Sequence, residues 1–433
     1  MEKDNAMMNE QNDNEFAALI GLDWADQSHD ICLQVCGNDD VEFETFKHRP
    51  EKINEWIRQL SAPFPETKIA VCLEQSRGAL IHSLMEHDNR VLFPINPKSL
   101  ARFREALYPS GAKDDPTDAH LLQLLLRLHR DKLNRFNPDV ESVRTLALAV
   151  EGRRKLVNLR TDLTNRLKSN LRGYYPQALE LTGANLHDPL STAFLAKWPT
   201  FQDLIKARPQ SVRSFYYAHN SRGESVIKRR LEIIHASTAL THDQPVLQVG
   251  SMMTRTLVGQ LKVLQKNILK HDQLIAQTFQ ALPDAKIFSS FPGAGAALAP
   301  RLLAAFGSDR SRYKDAAQIQ KYSGIAPVIE RSGKKIWVHF RWACPKFMRQ
   351  SFHEFAGQSI LFCNWAKAYY VNARYRGKDH HSAVRALAFK WQRILWRCWH
   401  NRVPYDNDKY VNNLKKQGLE IYRNLNEKTI KTV

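Results

Sequence analysis

The sequence predicts an α/β domain at the N-terminus followed by a mainly helical remainder. Two observations carry this expectation. Up to about residue 135, short apolar runs typical of strands alternate with helical stretches. Beyond that point the apolar residues recur at spacings of three and four over long segments.

Taken in order, residues 1–15 are polar and acidic and read as a disordered tail. FAALIGLD, from Phe16, reads as a buried strand ending at Asp23. HDICLQVC from His29 and DVEFETFKH from Asp40 alternate like half-buried strands, with Gly37 and Asn38 as the turn. A helix is expected from Pro50 to Leu60. KIAVCLE, Lys68 to Glu74, is a continuous apolar run of the kind a central strand shows. A helix over 78–87, a strand from Arg90 and a helix over 98–107 follow. The loop YPSGAKDDPTD then leads into the apolar helix AHLLQLLLRLH.

From about Ser142, Leu146, Val150, Leu156, Leu159, Leu163, Leu167 and Leu171 mark a long helix, with Arg153, Arg154, Lys155, Arg160, Arg166, Lys168 and Arg172 interleaved. A second long helix is expected from about Met252 to Ala281. Two long helices around an insertion suggest an antiparallel coiled coil or an oligomerisation arm. Residues 176–245 carry no placeable pattern. The expected organisation is thus a tail at 1–15, an α/β domain at 16–135, a helical arm at 136–282, a C-terminal domain at 283–405 and a polar basic tail at 406–433.

Charge narrows the function. The chain carries a net +19, distributed unevenly. Residues 1–120 hold 12 Lys and Arg against 22 Asp and Glu; residues 121–433 hold 51 against 22. The basic part suits a polyanion, whose binding releases counterions. No apolar run is long enough for a membrane span, and the polar N-terminus is not a secretory signal. Six scattered cysteines form no CxxC or zinc spacing. A cytoplasmic protein, nucleoid-associated when active, is expected.

The acidic part asks for its own explanation. Asp23 and Glu74 end two buried strands, where sites assemble in α/β sheets. Asp115 and Asp118 lie where the loop meets a helix, three residues apart. Each alone reads equally well as a cap or a turn residue. Four converging carboxylates would need a cation, and hard oxygen donors favour Mg2+ or Mn2+. Two such ions could clamp the attacking and leaving oxygens of a phosphodiester. In the C-terminal part, FPGAGAALAPRLLAAFG offers the backbone N–H groups of Gly293 and Gly295 at a helix start, a phosphate cradle similar to a helix-hairpin-helix. Ser332 stands in ERSGKK, between Arg331 and the run Gly333, Lys334, Lys335. On the residues alone this is a phosphate-touching basic turn or a site of nucleophilic attack. The stretch from Trp337 to His400 holds six tryptophans, which serve as core or stack on unpaired bases. Asp379-His380-His381 reads as a charged loop.

Together, IGLDWADQSHD at 20–30, CLEQSRG at 72–78, SGAKDDPTDAHLL at 110–122, FPGAGAALAPRLLAAFG at 291–307 and KYSGIAPVIERSGKK at 321–335 resemble the DEDD insertion-sequence transposases, the IS-one-ten/Piv group, also called bridge-RNA-guided recombinases. The resemblance implies a RuvC-like, RNase H-like N-terminal domain with Asp23, Glu74, Asp115 and Asp118 as a metal-binding tetrad. Asp114 stands where the family usually has threonine, and the register favours Asp115 as the ligand. It further implies a coiled-coil dimerisation arm, and a C-terminal transposase domain giving a serine nucleophile to a composite site. By register that serine is Ser332, with Ser323 in KYSG as the competitor. The implied partners are a guide (bridge) RNA, target and donor DNA, and further copies of the chain, as a dimer and tetramer. The implied activity is DNA recombination through a covalent phosphoserine, followed by strand exchange and re-ligation. A metal-dependent nuclease or Holliday-junction resolvase using water, and an idle nucleic-acid-binding protein, are the alternatives.

Overall fold

The structure, a computed structural model, describes residues 15–74, 78–108 and 114–416. The expected N-terminal tail apart from Glu15, residues 75–77 and 109–113 of the motifs, and the end of the chain after 416 lie outside the described residues. The chain divides into two compact units, Met1–Pro138 and Asp139–Val433.

The first unit is built on a five-stranded sheet: β1 (Phe16–Trp24), β2 (Ser28–Val35), β3 (Val41–Lys47), β4 (Lys68–Leu73) and β5 (Arg90–Pro94). The spatial order is β3-β2-β1-β4-β5. β1 runs parallel to β4, and β4 to β5; β2 is antiparallel to both of its neighbours. β1 and β4 read as unbroken apolar runs because both of their faces are covered. Ala18, Ile20, Leu22, Val71 and Leu73 share a core with Trp56 and Ile57 of the Pro50–Ser61 helix. Leu19, Ala70 and Cys72 share another with Leu121, Leu122 and Leu126 of the Asp115–His129 helix.

Gly21 sets how closely that second helix lies. A Cβ at Gly21 would stand 1.9 Å from the Ala119 carbonyl oxygen and 2.4 Å from the Gln123 amide nitrogen, both rigid backbone. Only a residue without a side chain lets the helix rest on β1 here. Gly21→Ala is therefore expected to destabilise this unit by at least about 3 kcal/mol, because the helix must lift away. Urea unfolding followed by circular dichroism checks this; an unchanged midpoint would contradict the close contact.

The second unit begins with two long helices, Glu141–Tyr174 and Gln244–Gln280. They pack antiparallel: Arg153 pairs with Asp272, Arg160 donates to Gln265, and Asn170 Nδ2 donates to the Gly250 carbonyl and the Thr254 hydroxyl, both at 2.9 Å. The second helix starts at Gln244, well before the expected Met252, since Pro245 occupies its first turn and the Asp243 carboxylate caps it, accepting from the Val246 amide at 3.0 Å. Between the two helices, five short helices from Ala178–Leu181 to Glu224–Ala236 surround a core of Tyr174, Tyr175, Phe194, Trp198, Phe215 and Tyr216.

The opposite ends of the long helices enter a third core. Val143, Leu146 and Val150 join Ile275 and Phe279, the Gly295–Phe306 helix and the Lys346–Phe362, Asn364–Tyr375 and His380–His400 helices. Trp365, Trp391 and Trp399 are fully buried there, and each indole N–H donates at 2.8 Å, to Tyr405 Oη, Ser359 Oγ and the Gly307 carbonyl. Those three of the six tryptophans are thus core. Asp379 caps the His380–His400 helix through the Ser382 amide at 2.8 Å. Residues Asn407–Lys416 are helical. A two-stranded hairpin, β6 (Val328–Ser332) and β7 (Lys335–His339), completes the unit.

Candidate functional site

The parallel pairing of β1 and β4 aligns Leu22 with Leu73, so Asp23 and Glu74 follow at the same edge of the sheet. Side-chain alternation puts Asp23 on the face of Gly21, beneath the Asp115–His129 helix. Glu74 continues the face of Cys72, which pairs with Gly21. Burial, together with the nearby Glu74 charge, pushes the Cys72 thiol pKa up. Asp115 and Asp118 sit in the first turn of that helix, where its N–H groups favour negative charge.

Two of these acids differ sharply in surroundings. Asp115 is exposed, whereas Asp118 is 3% exposed. Asp118 Oδ1 accepts from Arg104 Nε at 2.6 Å and also pairs with Arg104 Nη2. Arg104 belongs to the Pro97–Leu107 helix. Asp114, the competitor in the loop motif, caps the helix instead: its carboxylate accepts from the Thr117 amide at 2.9 Å. Hydrogen bonds from the Thr117 hydroxyl and amide hold the Asp114 carboxyl below its ordinary pKa.

The four expected carboxylates belong to one sheet edge and the helix start beside it. Among the described residues, no three His, Cys, Asp or Glu side chains are grouped to hold one metal ion. Asp118 is engaged by a guanidinium, which takes the role expected of a cation. The donor chemistry still suits a hard divalent ion, since every expected ligand is a carboxylate oxygen on one sheet edge or the helix start beside it.

Sequence reasoning missed two residues of this edge. Arg104 is one; only a three-dimensional contact reveals it. Asp30 is the other. It lies directly opposite Asp23 across the antiparallel pair, on the same face, and accepts from the Thr45 hydroxyl at 2.5 Å. The short link between β1 and β2 fixes that register, so WADQSHD held the signal. Like charges directly opposite are unfavourable, which deepens the negative potential at this edge.

In the second unit, Ser332 is the last residue of β6 and pairs with Lys335. Gly333 takes φ +56° at the first position of the two-residue turn, as a type II′ hairpin requires. Ser332, Arg331, Gly333, Lys334 and Lys335 are all exposed. Ser323, the competitor, is fully buried; its hydroxyl donates to the Gln320 carbonyl and accepts from Gln392 Nε2 at 2.7 Å. Of the glycine motif, Gly293 (φ +79°) is packed against the Gln358 carbonyl, whereas Gly295 (φ +53°) opens to solvent at the start of its helix.

The motifs that frame these residues match known proteins. Residues 20–176 match the DEDD transposase model of the IS110 group, described as Transposase. Residues 285–371 match a model described as Transposase IS116/IS110/IS902 family. The chain belongs to the IS110 family of transposases. It is 27% identical over 410 residues to the mini-circle putative transposase for IS117 of Streptomyces coelicolor, across 92% of this chain and 97% of that one. It is 26% identical over 382 residues to the insertion element IS116 uncharacterized 44.8 kDa protein of Streptomyces clavuligerus, across 87% and 93%. Putative transposase y4uE of Sinorhizobium fredii is 31% identical over 167 residues, 37% of this chain and 45% of that one. As an IS110-family transposase, the chain is an enzyme of DNA transposition. No described helix is long and apolar enough to cross a membrane.

Proposed function

We propose that this IS110-family transposase is an RNA-guided DNA recombinase that cleaves through Ser332. The observation that carries the nucleophile is the contrast between the two serines. Ser332 is exposed on a hairpin tip among Arg331, Lys334 and Lys335, whereas Ser323 is sealed in the core. The sheet order, with β2 alone reversed, supports an RNase H-like reading of the first unit. The turn holding Gly293 and Gly295, between the Ala285–Ser289 and Gly295–Phe306 helices, supports a helix-hairpin-helix that grips phosphate backbone.

In the proposed chemistry, Ser332 Oγ attacks a DNA phosphorus. A serine–phosphate ester forms as the bond to the 3′-oxygen breaks. The serine proton ends on that oxygen, leaving a free 3′-hydroxyl. Arg331, Lys334 and Lys335 offset the added negative charge. After strand exchange, a 3′-hydroxyl attacks the phosphoserine phosphorus, the P–Oγ bond breaks, and the hydroxyl's proton returns to Ser332 Oγ. The ester retains the bond energy, so no nucleotide triphosphate is consumed. Asp23, Glu74, Asp115 and Asp118 would hold Mg2+ or Mn2+, once Asp118 leaves Arg104. When bound, the ion supplies Lewis-acid stabilisation of phosphate oxygens. A guide RNA and its DNA targets suit the basic excess after residue 120. The homo-oligomer belongs to the same proposal; Val249, Met252 and Val263 present apolar surface outward from the Gln244–Gln280 helix.

Denaturing gels of protein reacted with labelled DNA test this reading. A labelled protein band is expected. Free cleaved DNA without it would indicate a water-using nuclease, and intact DNA an idle binder. Nucleic-acid binding should also weaken steeply with salt. If six to ten phosphates are contacted, affinity falls by about 10³–10⁵ between roughly 50 and 200 mM salt. Filter binding across that range checks it, and a flat profile would contradict a phosphate-tracking surface.

A further inference from the structure

Three of the C-terminal tryptophans serve the core, but Trp342 does not: 75% of it is exposed. It lies three residues beyond the end of β7, and its ring meets Phe340 edge-on at 4.8 Å. Over that same Phe340 ring lie two guanidiniums, Arg349 at 4.5 Å and Arg385 at 4.4 Å. Two like charges thus share one aromatic ring. Among the described residues, neither forms an ion pair with a carboxylate. The nearby acid, Asp379, is occupied in capping Ser382. Burial, the charge of Arg349 and the opposing pull of Asp379 act on Arg385, with a net lowering of its pKa.

The surrounding loop is built rather than loose. Arg341 Nε donates to the Ala326 carbonyl at 3.2 Å, and Arg349 Nη1 donates to the Arg341 carbonyl at 3.1 Å. Gly324, with φ +75°, makes room for Cys344, whose sulfur would stand 2.3 Å from any Cβ there. An exposed indole on a braced loop thus stands beside two guanidiniums from two helices, neither of which has a carboxylate ion pair among the described residues. Arginine forks match phosphate, and an exposed aromatic face accepts any base.

We propose that Trp342, Arg349 and Arg385 form a subsite for one unpaired nucleotide of a single-stranded nucleic acid, the base stacked on Trp342 and the phosphate held by the two guanidiniums. A base inside a duplex is already stacked on both sides and cannot offer its face. The subsite does not depend on which serine attacks DNA. Strand exchange passes through unpaired segments, and this hairpin base would hold one of them.

The test uses the full chain and three labelled probes: oligo(dT), oligo(U) and a DNA duplex of equal length, followed by fluorescence anisotropy. Trp342→Ala should weaken single-strand binding about ten-fold or more, with duplex affinity nearly unchanged. Trp342→Phe should restore most of the loss. Arg349→Gln combined with Arg385→Gln should reduce the salt slope on the single strand by roughly one. A larger loss on oligo(dT) assigns the subsite to DNA; a larger loss on oligo(U) assigns it to RNA. Unchanged single-strand binding in Trp342→Ala, or an equal loss on the duplex, overturns the proposal. Because Trp342 is largely exposed, its replacement leaves the fold intact, and a thermal melt of the variant verifies this.

Discussion

Ser332→Ala is expected to bind DNA and RNA like the parent protein and to form no covalent adduct, with strand transfer lowered by on the order of 10⁴-fold or more. Ser332 is exposed on a two-residue turn, so losing its hydroxyl removes no packing and no buried hydrogen bond. The same change at Ser323 behaves differently. Ser323 is buried and hydrogen-bonded to Gln320 and Gln392, so Ser323→Ala strands the Gln392 amide. A stability loss of about 1–3 kcal/mol should follow, with adduct formation retained in whatever fraction folds. Adduct yield and melting temperature measured on both variants separate the two roles. Full recombination by Ser332→Ala, with none by well-folded Ser323→Ala, would reverse the assignment.

Asp118→Asn should lower DNA cleavage by about 10²–10³-fold, because the amide cannot replace a carboxylate toward a metal ion or its developing charge. The substitution is chosen for its structural mildness. Asp118 is buried against Arg104, and removing either partner outright leaves the other charge without compensation, at a cost of about 3–5 kcal/mol. Asparagine keeps an acceptor for Arg104 Nε. Arg104→Ala gives the complementary result. It should destabilise the protein in metal-free buffer, and Mg2+ or Mn2+ should recover part of that stability if Asp118 then joins the other carboxylates. Thermal melts with and without the ion measure this. A melt of Arg104→Ala indifferent to divalent ions would count against Asp118 as a ligand.

The sequence carried the first unit well, for physical reasons. β1 and β4 are covered on both faces and therefore read as continuous apolar runs, and Asp23 and Glu74 stood at their ends. The antiparallel helix pair was legible from its spacing of leucines. Its second member began earlier than expected because Pro245, within the stretch that carried no placeable pattern, sits in the first turn of the helix. The short helices between the pair gave no periodic signal. Their stability comes from Tyr174, Tyr175, Phe194, Trp198 and Phe215 meeting across distant segments. The β6–β7 hairpin was equally faint as secondary structure, since most of its residues are exposed and no buried face imposes alternation. The ion pair of Arg104 with Asp118 depends on two helices folding together. No spacing announces it.

The most direct measurement of the central claim is mass spectrometry of the protease-digested protein after reaction with DNA and nuclease trimming. The account predicts a phosphonucleotide mass on the peptide that contains Ser332, with fragment ions placing it on that hydroxyl. A modified peptide elsewhere, or cleaved DNA with no modified peptide, would contradict it.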